Sequence, residues 1–418
     1  MIKLYSLGGS GENGRNCYAI EWKDGAILLD CGVKREIDGE CIGKYPRLTK
    51  EFISKIKFVL LSHAHEDHCA SLPLIYNLGY KGKIYSSEPT AEMAPNFMNK
   101  WKNFVVENNG KLPFTYEDIK KVEFKNLKIG RNIIENIEII VGRSGHVVGG
   151  IWFIIKIEDK NIFYSGDIVR EPMLLHNDKP FEVDAAILNC AYAGKILNQS
   201  EQYRLLIDSI RKTLLIGGKI ILPLPPNGRG CDIYRFLLEN IKDEKIYVDR
   251  EIINSYKKLI SMKEWVKIKD DNILAENVVI IDTMEERKEV CLKNIPGVIL
   301  TQDGMLTADQ GKYYFENLKK DEKNKVIITG HTAKGTVGAE IFSEDYIKKN
   351  LVKLQKERII FKVHFDDMDV IEYNNYLQAK TIILFHSEKE KTKNIISKLK
   401  SDNVNAMCLN IGEIYRLN

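Results

Sequence analysis

The chain has 418 residues, 44% hydrophobic and 29% charged, and its 62 basic and 58 acidic groups leave a formal net charge of +4. This is the composition of a soluble globular protein long enough for two domains. It excludes a membrane span, since no apolar run approaches the roughly 20 residues required. The N-terminus, MIKLYSLGGSGENGRN, lacks the basic-then-apolar pattern of a signal peptide, so the expectation is a cytoplasmic protein. A nearly balanced charge permits a nucleic-acid partner but requires any basic surface to be local. The eight cysteines are scattered without a C-x-x-C pair, which argues against a thiolate zinc site or a disulfide framework and reads as ordinary buried thiols.

Taken in order, the short β-branched runs deliver polar residues at their ends. GAILLD ends at Asp30, and FVLLSH ends at His63 and opens the cluster HAHEDH. This cluster spends three of the chain's eight histidines, with two acids, in six positions. Imidazole and carboxylate donors suit zinc, and ligands on one tight loop cost little ordering entropy. His63 and His65 can face one position while Asp67 and His68 serve a neighbouring one. The stretch from about residue 115 to 190 reads as a β-meander. It presents His146 between glycines in SGHVVGG, Asp167 at the end of NIFYSGD and Asn189 at the end of AAILN.

From about 195 to 350 the pattern turns to helices alternating with parallel-type strands. Within it, PPNGRG exposes Arg229 between glycines, a residue suited to phosphate, and TGHTAKG offers His331 and Lys334, with a capped turn as the equal alternative. The strand–histidine pattern then resumes. RIIFKVH is expected to be a strand ending at His364, and TIILFH one ending at His386. The predicted organisation is one domain interrupted by another: 1–194 and 353–418 around an inserted 195–352. The Lys/Glu-rich stretches read as solvated helix faces, with Ile395, Ile396 and Leu399 forming the apolar stripe of the last. His176 reads as surface or packing.

HAHEDH together with Asp30, His146 and Asp167 resembles the metallo-β-lactamase superfamily. LGGSGENGRNCYAIE followed by ILLDCG, then PNGRGCDI, DGMLTADQGKYYF and VIITGHTAKGT, resembles its β-CASP nuclease branch, which includes ribonuclease J and the cleavage and polyadenylation endonuclease. The resemblance implies an αββα sandwich with an inserted α/β β-CASP domain. It also implies two zinc ions, one held by His63, His65 and His146, the other by Asp67, His68 and His386, with Asp167 bridging and Asp30 orienting the site. Asp67, His364 and Asn189 would carry the hydrolysis, His364 as general acid or phosphate contact. Arg229, His331 and Lys334 would bind substrate. The partner implied is RNA, single-stranded by preference and with DNA not excluded, and a homo-oligomer is compatible.

The chain departs from the family pattern at two places. Asn189 stands where the branch has an acid, and Lys362 and Val363 precede His364 where it has small or hydroxyl residues. The second departure argues against a 5′-exonuclease pocket. Asn189 is expected to act on His364. A catalytically weakened RNA-binding or accessory protein, and a small-molecule metallohydrolase of the same fold, are the competing readings.

Overall fold

The computed structural model describes residues 1–38, 41–269 and 273–417. The chain forms two compact units, one of residues 1–196 and 364–418, the other of 197–363.

The first unit is built on two seven-stranded sheets. One runs in the order Ile414–Leu417, Ile2–Gly8, Cys17–Trp22, Gly25–Leu29, Ile56–Leu60, Ile84–Ser86, Phe124–Asn126. The other runs Gly130–Ile134, Ile137–Arg143, Ile151–Ile157, Lys160–Tyr164, Ala185–Asn189, Thr381–Phe385, Asn405–Met407. Both share a plan: four antiparallel neighbours, then a change to parallel pairing. The change falls at Gly25–Leu29 in one sheet and at Lys160–Tyr164 in the other, the strands that run out into Asp30 and Asp167. Parallel strands side by side present their C-terminal ends, and the loops beyond them, along one edge. Such edges are where α/β folds assemble sites.

Each sheet packs helices on one face. The helix Glu88–Glu107 sends Ala94, Met98, Trp101 and Val105 into a core with Ala19, Leu28 and Val59. The helices Asp367–Leu377 and Lys393–Ser401 send Val370, Tyr373, Leu377, Ile395 and Leu399 onto Ile154, Ala186 and Ile382. Ile396 packs at the margin of that core. The other faces meet each other: Tyr18 of one sheet lies 5.3 Å from Phe385 of the other, which stacks on Tyr164 at 5.6 Å. This is why strands such as AAILN and TIILF are buried at every position. Both of their faces are covered, and an alternating pattern would leave polar groups inside.

The second unit is a six-stranded, wholly parallel sheet in the order Val278–Ile281, Lys245–Asp249, Gly297–Thr301, Lys219–Pro223, Lys325–Ile328, Gln355–Arg358. Helices connect its strands. The segment expected to be a strand running to His364 differs. The strand is Gln355–Arg358, it pairs with Lys325–Ile328, and residues 359–363 carry no regular structure. The return to the first unit therefore falls at 364, not 353, because Gln-Lys-Glu-Arg forms the charged edge strand of the parallel sheet. Charge on an edge strand discourages further pairing. Among the described residues, no helix is long and apolar enough to cross a membrane. Cys17, Cys31, Cys69, Cys190, Cys231 and Cys408 are buried free thiols.

Candidate metal centre

His63 follows the strand Ile56–Leu60, and the chain turns into the short helix Glu66–Cys69 directly after His65. That turn separates the cluster into two directions. His63 and His65 lie before the helix, with His63 Nε2 3.1 Å from His65 Nδ1. Asp67 and His68 lie within it and face elsewhere. The loop carrying His146 folds back because Gly145 and Gly149 take positive φ of 72° and 82°. The Ser87 and Thr90 hydroxyls donate to the Gly149 carbonyl and hold that loop on the long helix. His146 Nε2 thereby reaches 3.2 Å from His65 Nδ1.

Two donor groups result. His63, His65, His146 and Asp167 form one, and Asp67, His68 and His386 the other; within each, the ligand atoms lie within 4.8 Å of one another. Asp167 stands between them. Its Oδ2 is 3.7 Å from His63 Nε2 and 3.6 Å from His146 Nε2, while its Oδ1 is 3.2 Å from His68 Nε2. His386 Nε2 is 2.9 Å from Asp67 Oδ2 and 3.7 Å from Asp167 Oδ2.

The donor chemistry fits metal cations. Three imidazole nitrogens facing one point cannot satisfy one another by hydrogen bonds alone, because each neutral ring nitrogen turned inward is either a proton or a lone pair. Burial pushes His63 well below the usual imidazole value, and His65 down as well, so both rings are neutral and offer lone pairs. In the second group, burial alone would lower His68 and His386. The Asp167 and Asp67 carboxylates beside them outweigh it and raise both. Burial alone would likewise raise Asp167, yet His68, His386 and His364 hold it well below the carboxylate range.

Asp30, fully buried at φ 56°, orients the second group. Its Oδ1 accepts from the Ser62 amide at 2.7 Å, and its Oδ2 from Ser62 Oγ at 2.6 Å, Tyr164 OH at 2.7 Å and His68 Nδ1 at 2.6 Å. Holding His68 Nδ1–H leaves Nε2 turned toward Asp67 and Asp167, where a cation would take the place of its proton; a carboxylate behind the ring in this way fixes the tautomer of a histidine that ligates metal.

His364 joins this cluster from a turn rather than a strand end. Its Nδ1 is 3.5 Å from Asp167 Oδ2, and its ring packs 4.8 Å from His146 and 5.6 Å from Tyr192. Burial brings its imidazole down to about 4. Asn189 does not face His364 as expected. Its Nδ2 donates to Asp167 Oδ1 at 2.6 Å, and its Oδ1 accepts from the Ala191 amide, so both ends of the side chain are engaged.

Arg229, His331 and Lys334 belong to the second unit. Arg229 opens the helix Arg229–Asn240 after the strand Lys219–Pro223, and its Nε donates to Thr329 Oγ1 at 3.1 Å, just beyond the adjacent strand Lys325–Ile328. These neighbouring strands lead their connections in opposite directions across the sheet, the switch point at which parallel α/β sheets bind ligands. His331 and Lys334 are exposed on the loop that follows.

Sequence reasoning missed Asn16, whose amide meets both His68 and Asp67. It also missed Ser62 and Tyr164, which anchor Asp30. The available signal for Asn16 was its place in the glycine-rich GENGRNCYA stretch; a lone Asn there carries no recognisable donor spacing.

Two helix-covered mixed sheets bearing paired imidazole–carboxylate groups at their strand ends define the metallo-β-lactamase class of fold. The chain matches the metallo-beta-lactamase superfamily over residues 10–217 and the Beta-Casp domain over residues 233–341, and it belongs to the β-CASP family of that superfamily. It is 28% identical to an RNase J-like protein of Methanocaldococcus jannaschii, over 93% of each chain. It is 27% identical to transcription termination factor FttA of the same organism, over 93% of this chain and 67% of that one. A crystal structure of a protein of unknown function from Enterococcus faecalis V583 shares the fold across 100% of both chains, with a TM-score of 0.62 at 13% identity.

Proposed function

We propose that this protein is a zinc-dependent ribonuclease that hydrolyses phosphodiester bonds of single-stranded RNA at a centre for two metal ions. The observation that carries the reading is the position of Asp167, one oxygen toward the His63–His65–His146 group and the other toward His68. The RNA substrate is supported by the β-CASP match and by the name of the RNase J-like relative. Zinc is the proposed ion because imidazole nitrogens and carboxylate oxygens are among its ordinary ligands.

His63, His65 and His146 would hold one ion and Asp67, His68 and His386 the other, with Asp167 shared. Bound there, the pair would supply a water-derived nucleophile near neutral pH and positive charge for a phosphate oxygen. The chain's own groups do the rest. Asp30 keeps the proton of His68 on Nδ1. Asn189 and the loop behind it keep Asp167 turned into the centre. His364, neutral by burial, would take up a proton when a phosphate brings negative charge beside it, since a nearby opposite charge favours the imidazolium. Its Nε2, the ring nitrogen other than the one nearest Asp167, would then give that proton to the leaving oxygen. Arg229, with His331 and Lys334, would hold phosphates of the chain.

The test uses the purified full chain, end-labelled and internally labelled RNA, and a chelator. The expected outcome is hydrolysis abolished by chelation and restored by zinc, with about two zinc ions per chain, as two-metal chemistry requires. Turnover of thioesters without RNA cleavage would move the assignment to a small-molecule hydrolase. RNA binding without cleavage at full metal load would move it to an accessory role.

A further inference from the structure

We infer that Asn16 is a further member of the second metal position, and that its side-chain amide oxygen is a ligand there. The inference rests on the two-ion reading above. Asn16 is fully buried. Its Nδ2 lies 2.8 Å from His68 Nε2 and 3.3 Å from Asp67 Oδ2, the same two atoms that would face the ion. It stands outside the two donor groups and still reaches both of these atoms at once.

Three features make this more than packing. First, the side chain is held in place by its own backbone: the Asn16 amide donates to the Asp67 carbonyl at 2.8 Å, and the Asn16 carbonyl accepts from Gly32 at 3.0 Å. Movement of Asn16 and of the Asp67–His68 helix is thereby linked. Second, the opposite end of the amide is buried with no hydrogen-bond partner: Asn16 Oδ1 is unsatisfied. A buried unsatisfied carbonyl costs about 1–3 kcal/mol, and such an atom calls for an explanation. Third, room for this end is made by Gly9, at φ 83°, where a Cβ would sit 2.4 Å from Asn16 Oδ1. Gly9 in turn accepts the His386 amide at 2.8 Å, so one short segment serves both Asn16 and His386.

The two ends of an asparagine amide are nearly the same shape and exchange by rotation about one bond. Without a cation, NH2 toward Asp67 Oδ2 satisfies that carboxylate and stands in for the ion beside His68. With a cation, hydrogens in that place are repelled, and the oxygen at the same place is attracted. Asn16 thus fills the second position in both states, by opposite ends of one group. Asp67, His68 and His386 supply three ligands, and the Asn16 oxygen adds a neutral one that raises coordination without adding charge.

The experiment measures metal, not turnover. Full-length wild type, Asn16→Asp and Asn16→Ala are stripped with chelator and titrated with zinc and with cobalt(II), following stoichiometry by metal analysis and the cobalt visible spectrum. In Asn16→Asp an oxygen occupies the position permanently. The second ion should bind as tightly as in wild type or tighter, with an altered cobalt spectrum. In Asn16→Ala the second ion should bind about 10–100-fold more weakly, the range expected when a supporting partner at a metal site is removed, while the first ion is retained. If Asn16 served only as a hydrogen-bond donor to Asp67, Asn16→Asp would set two carboxylates together and weaken the second ion, overturning the ligand assignment. Wild-type affinity and spectrum in both variants would overturn it as well. A wild type that binds one ion would overturn the two-metal reading itself, a result distinct from either. Asn16→Asp keeps the side chain's shape, so it remains decisive if Asn16→Ala fails to fold.

Discussion

Asn189 Nδ2 donates to Asp167 Oδ1 across 2.6 Å, while Asn189 Oδ1 accepts from the Ala191 amide. The Ala191 amide fixes which end of the Asn189 side chain faces Asp167, so position 189 supplies a donor to a carboxylate that is already buried and held ionised by its histidines. An acid at 189 would place two carboxylates in contact, and like charges so close cannot both ionise at ordinary pH. Asn189→Asp should therefore destabilise the metal-free protein by about 1–3 kcal/mol, the cost of replacing a buried hydrogen bond by an unsatisfied pair. Urea denaturation in chelator measures it, and zinc should restore much of the loss. An unchanged metal-free stability, with a shift only in the pH profile of hydrolysis, would return residue 189 to an action on His364.

Arg229 gives a prediction with a built-in control. Arg229→Ala should weaken binding of single-stranded RNA and reduce the slope of log affinity against log salt by about 0.7 for each phosphate no longer engaged, leaving zinc content unchanged. Gly330 has no side chain where a Cβ would lie 2.4 Å from the Arg229 guanidinium nitrogens. Gly330→Ala should displace that group and reproduce the same loss. A normal salt slope in both variants would remove Arg229 from the RNA-binding surface.

The acid limb of stability should report on the strand end that carries His146. Asp178 accepts from Arg143 through Nε at 2.8 Å, Nη2 at 2.7 Å and the backbone amide at 2.9 Å. Burial alone would raise the Asp178 carboxyl, but these bonds hold it below the usual value. A depressed folded-state value means the contribution is present above the unfolded carboxylate value of about 3.9, and is lost as pH falls through the lower folded value. Thermal melts of the metal-free protein should fall over that acid window, and Asp178→Asn should flatten the fall. Equal slopes in the two proteins would exclude Asp178 as a source of the acid limb.

Much of the candidate centre is legible along the chain because its donor residues follow a local rule. His63, His65, Asp67 and His68 share one loop, and Asp30, Asp167 and His386 each follow a continuous apolar run that two-sided burial imposes. The alternation of helices and strands from 195 onward likewise announces the second unit. What the chain does not reveal is set by tertiary partners. RIIFKVH has the composition of a strand, yet pairing stops at Arg358, where the parallel sheet ends. Asn189 stands out as a departure from the family pattern, but the direction of its amide depends on Asp167 and Ala191, 22 residues before it and 2 after. Asn16 sits among glycines whose spacing encodes backbone turns rather than donors. Its role follows from side chains 51 and 52 residues away.

The link from Asp30 through His68 can be tested by a pair of substitutions. Asp30 Oδ2 receives Ser62 Oγ, Tyr164 OH and His68 Nδ1, and Oδ1 receives the Ser62 amide. An asparagine can offer an acceptor at only one of these two places. With its oxygen at the three-donor side, its NH2 meets the Ser62 N–H. Asp30→Asn should cost about 1–3 kcal/mol for the donor left unsatisfied, whereas Asp30→Ala, which strips a buried charge from all its partners, should cost about 3–5 kcal/mol. The loss of negative charge behind His68 also makes its Nε2 a weaker donor to metal. The second ion should bind about 10–100-fold less tightly in Asp30→Asn. The first should be little affected, because its imidazoles are those of His63, His65 and His146 rather than that of His68. Combining Asp30→Asn with His68→Asn separates support of the ligand from support of the fold. If Asp30 acts through His68, the double variant should bind the second ion no more weakly than His68→Asn alone, a departure from additivity that a double-mutant cycle measures. Additive losses would mean that Asp30 anchors Ser62 and Tyr164 for the fold and does not tune the ligand.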